Sequence, residues 1–108
     1  MPQDDEQKRQ RFLKEIEQTI ALANKEVIHE RIPPISRESV MAFAISVSRL
    51  RARYLEAAFK ITDKNASDPL GEAEISSMKR QRESYEEARE AFEALTHAIE
   101  RGYVDLAE

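Results

Sequence analysis

The stretch Val40–Ile61 constrains this chain more than any other, because its apolar residues return at helical spacing on two separate rows. Val40, Phe43, Val47, Leu50, Tyr54, Ala57 and Ile61 follow one another at steps of three and four and form one seam. Met41, Ile45, Ala52, Leu55 and Phe59 fall on a second row round the same helix. The two rows make an apolar arc of roughly 220°, about twice the width a surface helix needs. Such a helix must be covered from two sides. The rest of the chain is therefore read for the neighbours that cover it.

Residues 4–32 read as a first helix. Leu13, Ile16, Ile20, Ala23 and Val27 form its seam, Phe12 flanks it, and Asp4, Asp5 and Glu6 suit the N-terminal end of the helix dipole. Leu22, Ile28 and Ile32 lie off that seam and hint at a further partner. Pro33-Pro34 ends the helix, since the residue before a proline is pushed out of the α region. Ser36 is a good N-cap for a second helix over 36–63, with Glu38 in its first turn. The joint is only a few residues long, so the first two helices are expected to form an antiparallel hairpin.

Asn65-Ala66-Ser67-Asp68-Pro69 reads as a loop, with Asp68 as N-cap and Pro69 at the first position of a third helix over 69–101. Gly71 softens that first turn, so a start as late as Glu72 fits too. Met78, Gln81, Tyr85, Ala88, Phe92, Leu95 and Ile99 form the seam of the third helix, and Gly102 is placed to terminate it. The tail over 102–108 contains Tyr103, Val104 and Leu106, apolar enough to fold back on the helix ends or to dock elsewhere. The expected fold is one all-α domain over 1–108: an antiparallel three-helix bundle with long helices. Its leftover apolar faces favour association as a homodimer.

Composition narrows the function classes. Charged residues make up 35% of the chain, with only two glycines and four prolines, a balance that suits long helices with short connections. The net charge of −4 comes from interleaved acids and bases, which does not suit a phosphate-binding surface. Lys8, Arg9, Arg11 and Lys14, with Lys79, Arg80 and Arg82, would be the start of a nucleic-acid reading. Nearby acids dilute both groups and no aromatic residues interleave them. Nucleic acid is carried as an alternative partner, not the expected one. No cysteine is present, which removes disulfides, thiol nucleophiles and Cys-based zinc sites. The polar start is not a signal peptide and no uncharged run is long enough for a membrane span, so the expectation is a soluble, cytoplasmic protein.

Histidine is the first place to look for chemistry. Glu26 and His29 have the Glu-x-x-His spacing of di-iron bundles, but such sites need two of these pairs plus glutamates from other helices, all pointing inward, and only one pair is present. The seam through Val27 also turns His29 away from the core. His97 shares a face with Glu83, Glu86, Glu90, Glu93 and Glu100. A metal-binding protein using His29 or His97 is a further alternative, and the expectation is no metal and no cofactor. Residues 84–108 hold seven acids against two cations, so Glu86, Glu90, Glu93, His97 and Glu100 form a candidate surface for a basic protein partner.

Arg51 projects into the apolar arc of the second helix. Matching levels through the two hairpins places it beside Thr19 and the Gln81–Tyr85 turn, which suggests a core polar layer of Arg51, Thr19, Gln81 and Tyr85 that fixes register. There is no nucleophile–base pair, glycine-rich phosphate loop or complete metal set. The expected function is a non-enzymatic helical protein-interaction or adaptor module.

Overall fold

The computed structural model describes residues 2–62 and 68–107. Three helices dominate it: α1 (Pro2–Arg31), α2 (Arg37–Ile61) and α3 (Glu72–Glu100). Two short extended pieces, β1 (Ile35–Ser36) and β2 (Leu106–Ala107), pair in parallel with Ile35 opposite Leu106 and Ser36 opposite Ala107. The all-α class expected from periodicity is present. Residues 65–67 of the expected loop, and the expected end of the second helix at 63, lie outside the described residues.

The helix boundaries follow from local chemistry. The Ser36 hydroxyl accepts a hydrogen bond from the Ser39 N–H at 3.1 Å, satisfying one of the free donors at the start of α2. The start of α3 takes the later of the two positions, with Gly71 rather than Asp68 as N-cap. Glu74 accepts the Gly71 N–H at 3.0 Å, so the carboxylate half of a capping box holds the turn without a capping side chain. At the far end, Gly102 takes φ 76°, its N–H donates to Ile99, and Tyr103 N–H donates to Ala98 at 2.8 Å. These two bonds are a complete Schellman stop.

The main helix-on-helix packing is between α2 and α3, which run antiparallel. Phe43 and Phe92 meet edge to face, with ring centroids 5.4 Å apart. Val40, Phe43, Val47, Leu50, Tyr54, Ala57 and Ile61 are all partly covered, as are Met78, Gln81, Tyr85, Ala88, Phe92, Leu95 and Ile99. These are the two seams the spacing picks out.

The first helix departs from the expected arrangement. It does not run along the hairpin, and its seam residues Leu13, Ile16, Ile20 and Val27 are exposed. Sequence register would set Thr19 level with Gln81 to Tyr85. Instead Glu17, Ile20 and Ala21 line a cleft with His97, Arg101 and Tyr103, so α1 crosses the C-terminal end of α3. The physical reason lies in the joint. Pro33 and Pro34 restrict the backbone before Ile35, and Ile35 donates its N–H to Asp105 at 2.9 Å as it enters the β1–β2 pair. An extended joint clamped to the tail is not the tight turn that an antiparallel hairpin of α1 and α2 requires.

The outcome is a flat molecule. Its extents are 71 × 45 × 16 Å and its radius of gyration is 22.3 Å, against about 13 Å for a compact domain of this length. The accessible surface is 9130 Å², whereas a compact monomer of this mass exposes about 6,200 Å². Among the described residues Val104 is the only buried apolar side chain, at 2% exposure. It sits in the tail, just beyond the Schellman stop.

Gly102→Ala tests the stop. A Cβ there meets no neighbour within 4 Å, so the substitution isolates the backbone cost of a positive φ. We expect about 1–2 kcal/mol of lost stability in denaturant unfolding with the helical signal of the folded protein unchanged.

Candidate interaction surface

Two bare apolar surfaces stand out. The first is the second row of α2, where Met41, Ile45, Leu55 and Phe59 are 54–67% exposed and Ala52 is exposed between them. The row lies about 150° round α2 from the seam that meets α3, because α2 carries two apolar stripes and α3 covers only one. The second is the seam of α1, with Leu13 at 58% and Ile20 at 53%, flanked by Phe12 at 61%. Here both belong to one chain and neither is covered.

The polar features sit around them. Glu86, Glu90, Glu93, His97 and Glu100 are all exposed on α3, where helical spacing brings them to one side. Arg89 spans to Glu93 at 3.4 Å, so one base already serves that stripe. His97 also faces the cleft beside α1, with Glu17 and Tyr103 in the same lining. His29 is half-buried at the other contact between α1 and the tail, its Nε2 3.4 Å from an Asp105 carboxylate oxygen. That nitrogen is shielded from solvent and has no partner in hydrogen-bond geometry, so the two side chains are joined by proximity alone. Sequence spacing had turned His29 toward solvent. It missed this contact because Asp105 is 76 residues away and reaches His29 only through the tail's return. The apolar run in the tail was the one available signal.

Arg51 remains exposed, and its guanidinium lies 5.9 Å from the centroid of the Tyr85 ring. Arg89 lies at the same 5.9 Å distance from that ring. Tyr85 therefore gathers two cations at mid-hairpin, within reach of cation–π attraction. Gln81 is part-covered in a neighbouring cleft with Arg53, Ala57 and Ser77. Thr19 is exposed on α1 and joins none of these groups, because α1 does not run beside the middle of the hairpin. The proposed layer is brought together only as Arg51 and Tyr85, with Gln81 nearby.

Among the described residues no group of three or more His, Asp or Glu side chains gathers where it could hold a metal ion. No helix among them is long and apolar enough to cross a membrane. No family model, curated protein or solved structure matches the chain.

Two measurements check this description. Because Arg51 is not buried, replacing it relieves no desolvation. Arg51→Met keeps the apolar stem and removes the cation, so it should cost about 0.5–1 kcal/mol in denaturant unfolding rather than stabilise. Metal analysis of the purified protein should find no stoichiometric zinc, iron or manganese, and His97→Ala should leave the metal content unchanged.

Proposed function

We propose that this chain is a non-enzymatic helical interaction module that functions by docking its exposed helix faces against other protein surfaces, a second copy of itself first. The observation that carries this reading is the single-layer architecture. A helical layer with apolar residues on uncovered faces is half of a stable arrangement, because stable domains bury such faces between at least two layers. The surface in excess of a compact monomer is about 3,000 Å². Covering even half of it on each of two copies removes about 3,000 Å² from water, which is the range of obligate homodimers.

The acidic side of α3 is the second contact surface in this reading. Glu86, Glu90, Glu93 and Glu100 give an exposed stripe suited to a basic helix or tail of a partner protein, with His97 at its edge. A nucleic acid is disfavoured by that same charge. A cysteine-free chain with this much charged surface suits the cytoplasm, where we place it.

Sedimentation equilibrium at tens of micromolar tests the self-association. The expected mass is that of two chains or more. A mass of one chain, holding across the concentration range, overturns the reading.

A further inference from the structure

We infer that two copies of this chain exchange their first helices, so that the α1 seam of each lies antiparallel along the bare row of α2 in the other. The inference rests on the self-association proposed above and specifies its geometry.

The two surfaces match in spacing. Reading backward along α1, Val27, Ala23, Ile20, Ile16 and Leu13 come at steps of four, three, four and three. Reading forward along α2, Met41, Ile45, Ser48, Ala52 and Leu55 come at the same steps. Laid antiparallel, Val27 meets Met41, Ala23 meets Ile45, Ile20 meets Ser48, Ile16 meets Ala52 and Leu13 meets Leu55. At the three central levels a large side chain faces a small one, the alternation that lets two helices interdigitate at native density. Ser48 does not interrupt the contact, because its hydroxyl donates back to the Ala44 carbonyl at 3.3 Å.

The match cannot be made within one chain as it stands. The body of α1 is already attached to its own chain by a different side. Glu17, Ile20 and Ala21 line the cleft with His97, Arg101 and Tyr103, and Asn24, Ile28 and His29 are the part-covered residues among those described in α1. At 100° per residue the Glu17–Ala21–Asn24–Ile28 side is centred about 100° round the helix from the Leu13–Val27 seam. The contact with the chain's own tail and the proposed contact with a second copy therefore use neighbouring faces that meet at Ile20, which lines the edge of the cleft and stays 53% exposed. Both can be made at once, with α1 held where it is.

Symmetry closes the arrangement. Each copy carries one donor seam and one acceptor row, so a two-fold pair makes the contact twice and covers both surfaces from Met41 to Leu55, with Phe59 beyond the last seam residue and opposite Arg9. The alternative in which two α1 seams pair with each other covers α1 but leaves Met41, Ile45, Leu55 and Phe59 in water on both copies.

The absence of cysteine makes the test direct. One chain carries Ile16→Cys, a second carries Ala52→Cys, and the two are unfolded together, refolded and treated with a short bis-maleimide. We expect a covalent two-chain product from the mixture and little from either variant alone. The double variant, Ile16→Cys with Ala52→Cys, is expected to link chain to chain. Closure inside one chain, or a dominant product from Ile16→Cys alone, overturns the exchange while the self-association stands. A one-chain mass for the unmodified protein overturns both. Side-chain substitutions give a second readout. Leu55→Glu should weaken association by tenfold or more, with helicity checked by circular dichroism. Leu22→Glu, equally exposed but on the opposite side of α1, should leave association unchanged. The reverse ranking overturns the proposal.

Discussion

The contact between α2 and α3 is the interaction on which the remaining structure depends. It is the one place where two long helices lie side by side, and the Phe43–Phe92 pair sits at its centre of aromatic packing. It fixes the position of the α3 C-terminus, hence of the Schellman stop at Gly102, and hence of the returning tail. The tail then clamps the joint before α2 through β1 and β2, and the clamp sets the direction in which α1 leaves. A chain of local constraints thus runs from an apolar seam to the placement of a helix that the seam never touches.

What was legible in the sequence, and what was not, follows the same division. Periodicity identified the seam residues of α2 and α3 one by one, because the residues that pack are those that recur at three and four. Ser36 and Gly102 were legible because capping and the left-handed stop depend on a few neighbouring atoms. The position of α1 was not. Its seam at Leu13–Val27 shows which side is apolar, but nothing in the spacing says which surface meets it. The short joint argued for a hairpin, while Pro33-Pro34 and the pairing of Ile35 with Leu106 impose an extended path. The pairing rests on a contact between residues 71 apart, beyond the reach of local pattern.

The polar residues show the same limit. Arg51 reads as buried if α1 covers the middle of the hairpin, and Thr19 reads as its neighbour. With α1 carried to the end of α3, the guanidinium keeps its water and meets only the Tyr85 ring, shared with Arg89. The expectation about chemistry failed where it depended on the expectation about topology. The acidic residues of α3 are different, since their shared side follows from helical spacing alone and they stay exposed.

The thickness of 16 Å has a consequence for how the molecule opens. A helix that lies in a layer without cover is held by its own backbone bonds and, here, by the contacts of its second half from Glu17 onward. Nothing couples its first turns to the rest. In a lone chain, the amides of residues 4–16 should exchange with solvent through fraying, at a rate indifferent to the unfolding of the α2–α3 pair. Laid against a neighbour, the same amides join the cooperative unit of the hairpin and exchange with it. Protection in the N-terminal half of α1 is therefore a gauge, read residue by residue, of whether the layer is covered.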